Sequence, residues 1–470
     1  MKPLRPLFAL FLVAALPAAA APLNVILRHP HLFETSRTGT FDVAATAHSI
    51  LWRHDTGLMS ADVRGLSLLP MLRAIAAQSD WTIYVEPGSE RVASAKFADE
   101  PPAAALRMLL GDLNFTIVTS ANGATSLYVF KSVRQNATQL VVAPPRHVPD
   151  ELIVRLKPGA DINALARMLG AKVVGRLDGL GLYRLQFSDA AAAELALSEL
   201  QQDQDVLSVG YNNYFNPPPA VQNLGSSTPP LGPVNLQLRA PSGSGKVIVG
   251  LIDTAVQSSD TSLDQFLLKQ ISVADGTQAG SSELTHGTAM AQTILRAIDA
   301  VEHGNSSVQV LPVDVYGSSP DTTTWNVAQG IMAAVANGAN VINLSLGDST
   351  PDPMLADVIQ AVENDHIPIF AAAGNQSTAS ATYPAAYPGV MAVTALERGA
   401  IAPYADFGSF VDFAAPDGAI AYLNGQPWFT MGTSVSTANM TGLAAGLADS
   451  THQPWPQITS TLYQWYPVPK

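Results

Sequence analysis

Four apolar runs, Val247–Ile252, Val308–Val313, Val341–Leu344 and Ile367–Ala373, alternate in the second half of the chain with segments of helical period such as Val327–Val335 and Met354–Val362. A short run that is apolar at nearly every position fits a strand covered on both faces, and helices between such strands imply right-handed crossovers. Asn337-Gly338 supplies a stop for the first of these helices. The expected fold class is therefore α/β, a parallel sheet flanked by helices. In such sheets the reactive loops gather beyond the carboxyl ends of the strands.

Three short motifs fall at such ends. Asp253 closes the first run in VGLIDTAV, while His286 in THGTAMA and Ser434 in MGTSVSTANMTG each open a helix-like stretch. Acyl transfer by a hydroxyl needs a nucleophile, a base to take its proton and a carboxylate to orient that base. Taken singly, each residue has a plainer reading: Ser434 as a helix N-cap, His286 as a buried hydrogen-bonded side chain, Asp253 as the cap of a loop. Taken together they point to a serine hydrolase. His286 is the one histidine of nine followed by Gly-Thr and an apolar helical pattern. The Gly-x-Ser-x-Gly elbow of esterases and lipases does not occur around Ser434.

The order Asp, His, Ser on an α/β pattern resembles the subtilisin family. Asn375 in FAAAGNQ stands where that family places the amide of its oxyanion hole, although Gly-Asn is also an ordinary turn. INLSLG, Ile342–Gly347, looks like the family's edge strand that pairs with substrate backbone. The resemblance implies substrate binding by Ser345, Leu346 and Gly347 and by Ala373 and Gly374, with a roomy pocket beside the small residues Ala371–Gly374. YPAAYPGVMAVTAL and YADFGSFVDFAAPDG extend the likeness over roughly residues 244–450. Three positions depart from the family pattern. Ala255 replaces a glycine, where a left-handed backbone would cost about 1 kcal/mol or more. Asp417 replaces the glycine of Ala-Pro-Gly, and Ala438 the proline four residues after the serine. None removes a catalytic group, but together they motivate the rival reading of a weakened relative that grips peptides without hydrolysing them.

Two small α+β units are expected before the peptidase-like domain of residues 244–470. Residues 149–215 read as strand, helix, two strands, helix, strand, with helices over Ile162–Leu169 and Ala190–Gln202, a ferredoxin-like pattern. In this position the unit resembles the family's inhibitory propeptide, which implies a sheet packed on the enzyme and a tail running through its active site. The proline-bearing stretch 216–243 reads as a linker, and self-cleavage is expected between Tyr211 and Ser244. Residues 58–135 hold a second unit, with helices over Leu66–Gln78 and Pro102–Leu110 and strand-like WTIYVE, VASAKF, FTIVTS and SLYVF. Residues 58–131 resemble the short domain that opens secretins and some outer-membrane receptors, which implies docking to an envelope partner. A plain spacer domain is the alternative.

At the start, Lys2 and Arg5, the apolar stretch Leu7–Leu16 and the small residues Ala18–Ala21 read as an export signal of residues 1–20, with residues 21–57 as a leading segment. The stretch is shorter than the roughly 20 residues that span a bilayer. An exported chain with 0 cysteines uses no disulfides, thiolate nucleophile or thiolate metal site, and fits a periplasmic or secreted bacterial protein. A net charge of -13 argues against nucleic acid as a partner. No cofactor or metal is expected: relatives often hold structural calcium, but no twelve-residue calcium loop or zinc motif occurs, and Asp260, Asp264 and Asp275 read as solvated.

Overall fold

The computed structural model describes residues 49–53, 57–79, 81–119, 125–141, 147–215, 217–219, 221–224, 236–240, 246–258, 262–276 and 282–469. The expected signal of residues 1–20, most of the leading segment, Asp260 and most of the 216–243 linker lie outside these residues. No described helix is long and apolar enough to cross a membrane.

The central sheet runs in the order Ile271–Ser272, Gln309–Asp314, Ile248–Asp253, Val341–Leu344, Ile369–Ala372, Val390–Glu397, with Phe413–Pro416 and Ala400–Ile401 added to the last strand. All neighbours are parallel except Ala400–Ile401. The strand that comes first in the chain, Ile248–Asp253, lies between the third, Gln309–Asp314, and the fourth, Val341–Leu344. The winding therefore changes direction there, and a crevice opens beyond the ends of these strands.

Side chains alternate between two cores, as a strand's period of two requires. Val249, Leu251 and Phe370 face one core, Ile252, Ile369 and Ala371 the other. The first core is shared by the His286 helix, His286–Glu302, and the Ser434 helix, Thr433–Thr451. The second belongs to the helices Thr324–Ala336 and Pro353–Asn364. The Ser434 helix is buried on nearly every side rather than along one inward face. It packs against the sheet, the His286 helix and the helix Trp455–Trp465, so small residues on all its faces replace the amphipathic stripe of a surface helix.

One expectation is corrected. Ile342–Leu344 is not an edge strand but an interior one, hydrogen-bonded to Ile248–Asp253 on one side and Ile369–Ala372 on the other. Its apolar side chains are all buried, which an interior strand satisfies and an edge strand does not. Only Ser345–Gly347, past the strand end, lie outside the ladder.

The unit before the peptidase-like domain is an antiparallel sheet ordered Val206–Phe215, His147–Leu156, Leu182–Gln186, Lys172–Leu177, which is the fourth, first, third, second order of a ferredoxin-like fold. Its helices, Ile162–Met168 and Ala190–Leu200, start on the side-chain caps Asp161 and Asp189. The sheet meets the helices Thr324–Ala336 and Pro353–Asn364: Ile153, Leu182 and Phe215 join Trp325 in one core, and Gly175 leaves room for the Trp325 ring, which a Cβ would approach to 2.5 Å. The Asn212 carboxamide oxygen accepts the backbone N–H of Trp325 at 3.0 Å, and Asn213 donates to Asp352, the cap of the second helix, at 2.9 Å. Beyond Phe215 the described tail does not pair with Ser345–Gly347. Pro217–Pro219 carry no N–H for a ladder, and pairing resumes at Gln222–Asn223 against Phe429 and Trp428.

Farther upstream, the sheet Ser49–Arg53, Leu58–Ser67, Val92–Glu100 and the sheet Asn114–Thr119, Thr125–Phe130, Thr82–Val85, Gln139–Val141 share one core with the helices Leu68–Gln78 and Pro102–Leu110. The first helix starts two residues later than the apolar period suggests, because Leu66 and Ser67 pair with Ala93 and Val92.

Candidate active site

Asp253 ends the strand at the winding change and is 2% exposed. Its carboxylate accepts the Thr254 N–H at 2.7 Å and lies 2.9 Å from His286 Nδ1 through either oxygen. Because an ionised carboxylate only accepts, the proton on His286 belongs to Nδ1, which leaves Nε2 as the basic atom. Nε2 is buried and has no hydrogen-bond partner among the described residues.

The THGT motif explains how His286 comes to open its helix. Thr285 caps the helix by accepting from the Thr288 N–H, and its hydroxyl donates to the Ala255 carbonyl at 2.6 Å. The Gly287 N–H donates to Thr254 Oγ1 at 2.8 Å, and a Cβ on residue 287 would stand 2.1 Å from the Thr254 carbonyl oxygen. Glycine is required there so that the helix start can lie against the turn after Asp253.

Ser434 is the second residue of its helix. The geometry that brings it level with His286 is one of register. Gly442 packs against Ile294 and Gly446 against Ile298, and each pair stands equally far along its helix from Ser434 and His286. Two helices running side by side in this register bring their first turns together. The Ser434 hydroxyl does not bond to His286 here: Oγ donates to the Ser345 carbonyl at 3.2 Å. Ser345 Oγ returns a bond to the Ser434 carbonyl at 3.1 Å and is itself held by Asn343 and, behind it, Thr441, all buried.

Asn375 is exposed just past Ile369–Ala372. Its Oδ1 accepts both the N–H of Thr433 at 2.9 Å and the Thr433 hydroxyl at 3.1 Å, which leaves Nδ2 as the free donor end beside the start of the Ser434 helix. Of the remaining candidates, Ser345, Leu346 and Ala373 are buried and Gly347 and Gly374 half-buried. They form the ends of two neighbouring strands, tied farther along by paired backbone bonds between Asp348 and Tyr383.

The departures from the family pattern cause no strain. Ala255 is not among the residues with positive φ, so the glycine-like cost does not arise. Asp417 likewise has no positive φ; its carboxylate accepts the Tyr404 hydroxyl at 2.7 Å and its carbonyl the Gly432 N–H at 3.0 Å. Burial, followed by the Asp417 carboxylate, pushes the Tyr404 phenol well up. Ala438 is fully buried in an unbroken helix.

Thr254, Thr433, the Ser345 hydroxyl and Asp406 were not singled out from the sequence. Thr254 and Thr433 stand directly beside Asp253 and Ser434, which is the one local signal that could find them; nothing local marks Asp406. Among the described residues no cluster of three His, Asp or Glu could hold a metal ion. Asp264 accepts the Ser258 hydroxyl at 2.6 Å.

Residues 244–464 match the Subtilase family, and residues 134–212 match the fervidolysin N-terminal prodomain. The chain is 30% identical over 225 residues to Subtilisin Savinase of Lederbergia lenta, covering 47% of this chain and 82% of that protein. It is also 30% identical over 217 residues to a thermophilic serine proteinase of Bacillus sp. (strain AK1), covering 44% of this chain but only 53% of that relative. Fervidolysin of Fervidobacterium pennivorans, a keratinolytic enzyme related to subtilisin, superposes with a TM-score of 0.51 at 17% identity over 67% of this chain and 57% of that one, a likeness of fold alone. Residues 49–133 lie outside both matched family stretches, so the secretin-like resemblance of residues 58–131 gains no support from them.

Proposed function

Because the chain belongs to the subtilase family, we propose that it is an exported serine endopeptidase, made as a precursor that its own ferredoxin-like domain holds inactive. The observation that carries this reading is the buried Asp253–His286 pair with its unpartnered Nε2, held level with Ser434 by the register of two helices.

In the proposed reaction the substrate backbone pairs with Ser345–Gly347 and a substrate side chain enters the pocket beside Ala371–Gly374. Ser434 Oγ leaves the Ser345 carbonyl by rotation about its side-chain bond, gives its proton to His286 Nε2 and attacks the scissile carbonyl carbon. Asp253 keeps the imidazole in the right tautomer and stabilises its charged form. The developing oxyanion accepts from Asn375 Nδ2 and from the Ser434 N–H, at a helix N-terminus where negative charge is favoured. His286 then returns its proton to the leaving amine, and water resolves the acyl-enzyme by the same groups.

Docking of the upstream sheet on the helices Thr324–Ala336 and Pro353–Asn364 supports the role of that unit as an intramolecular inhibitor. A docking role for residues 58–131 rests on their strand and helix order alone, and export on the residues of the N-terminus.

A fluorophosphonate probe, followed by mass spectrometry of wild-type and Ser434→Ala protein, tests the proposal. The expected result is a label on Ser434 of processed wild-type protein and an uncut Ser434→Ala chain. Processed wild-type protein that takes no label would instead favour a peptide-binding relative without hydrolysis.

A further inference from the structure

We propose that Asp406 is the positioning residue of Asn375, holding the backbone on both sides of the amide that the reading above assigns to the oxyanion. Asn375 is exposed, so no packing fixes it. Among the described residues its side chain is pinned only through Oδ1, to Thr433. The direction of Nδ2 therefore depends on where the backbone stands.

Asp406 brackets that backbone. Its Oδ1 accepts the N–H of Gln376 at 2.8 Å and of Thr378 at 3.0 Å, one and three residues after Asn375. Its own N–H donates to the carbonyl of Gly374, one residue before, at 2.9 Å. The other carboxylate oxygen accepts from Thr382 Oγ1 at 3.3 Å. Gly374 has φ 112°, and a Cβ on it would stand 2.1 Å from Asp406 Oδ2, so the carboxylate fills the space any larger residue at 374 would need.

Through Thr382 the same carboxylate is linked to the neighbouring strand end. Thr382 Cγ2 lies where a Cβ on Gly347 would come to 2.8 Å, and the neighbouring Tyr383 exchanges backbone bonds with Asp348. Both neighbouring strand ends are thus linked to one side chain.

Asp406 is 1% exposed and pairs with no cation among the described residues. A buried carboxylate without a counter-ion is costly, and here only N–H and hydroxyl donors offset that cost. Burial pushes its carboxyl above the ordinary range against the pull of the Thr378 and Gln376 N–H bonds. An apolar residue of similar size would avoid that cost but could not hold the loop.

A double-mutant cycle in the processed enzyme tests this. Hydrolysis of a peptide p-nitroanilide is measured for wild type, Asp406→Ala, Asn375→Ala and the double variant, with rates divided by the concentration of sites titrated with a fluorophosphonate. Losing an oxyanion donor costs about 100- to 1,000-fold, a magnitude that comes from subtilisin itself, a member of this family. Asp406→Ala is expected to lower kcat at least about tenfold as a share of that loss, with KM little changed. In the Asn375→Ala background it should cost no more than about twofold, the scatter of independent sites. Asp406→Asn, which keeps an acceptor for the two N–H groups, should recover most of the loss. If Asp406→Ala does not accumulate folded, Asp406→Glu, with the same charge moved by one methylene, takes its place with the same expectations. Losses that multiply, or an Asn variant as poor as Ala, overturn the positioning role. Wild-type protein that neither labels nor hydrolyses overturns instead the reading beneath it.

Discussion

Gly442 lies against the backbone of Ile294, so closely that a Cβ on residue 442 would stand 2.4 Å from the Ile294 carbonyl oxygen. Backbone meets backbone at this point, and the contact sets how near the Ser434 helix comes to the His286 helix. The distance between nucleophile and base is thereby decided two turns away from either.

Gly442→Val is expected to force these helices apart. Overpacking of this kind costs about 1–3 kcal/mol, and the melting temperature should fall by several degrees. The loss of kcat should exceed what the melting curve accounts for at the assay temperature. Gly446→Ala, where a Cβ finds its nearest neighbour at 3.3 Å, should be far milder. Thermal melting and active-site titration of both variants check the contrast.

Asp253→Asn keeps the shape of the buried pair but offers an amide that can donate to Nδ1, which stabilises the wrong tautomer of His286. The expected outcome is a fall of about 10,000-fold in kcat with KM nearly unchanged, by analogy with the same change in another serine protease. Steady-state kinetics at saturating and limiting substrate separate the two constants.

Glu302 at the end of the His286 helix should give the protein a pH-dependent stability. Burial pushes its carboxyl up to about 7, from an ordinary 4.5, against the Ser306 hydrogen bond and Arg239, which pull it down. The folded state therefore keeps this proton where the unfolded chain has lost it. Its stabilising contribution is complete below about 4.5 and disappears as pH rises through about 7. Glu302→Gln mimics the protonated form, whose amide can still meet Ser306 and Asp449. Melting temperatures of the variant between these two pH values should slope less than those of wild type, and exceed them at pH above 7. A wild-type slope left unchanged by the substitution would reject this account.

Asn212→Ala, placed in the Ser434→Ala chain so that the precursor stays whole, should loosen the upstream domain. The side chain is fully buried, and it both caps the helix at Trp325 and donates to Glu151 at 2.7 Å. Leaving those partners unsatisfied costs about 1–3 kcal/mol. A lower melting transition of the precursor is the expected readout.

Much of the architecture was legible because it is written in local periods. The runs at Ile248–Asp253, Gln309–Asp314 and Val341–Leu344 match the apolar segments to within a residue, and the ferredoxin-like order of residues 147–215 follows from alternating strand and helix patterns. Asp253, His286 and Ser434 could be singled out because each carries a motif at the end of such an element. The interior place of Ile342–Leu344 is not legible in the sequence, because an all-apolar run states that both faces are covered but not which strands lie alongside.

By itself, then, the sequence determined the α/β alternation, the order of the two small units and the three residue types at the strand and helix ends, since these depend on side chains a few positions apart. Tertiary structure alone decided that Gly442 meets Ile294, that Ser434 rests on Ser345, and that Asp406 grips the loop of Asn375. Those contacts join residues dozens of positions or more apart, and close packing selects them by shape and hydrogen bonding rather than by any repeat along the chain.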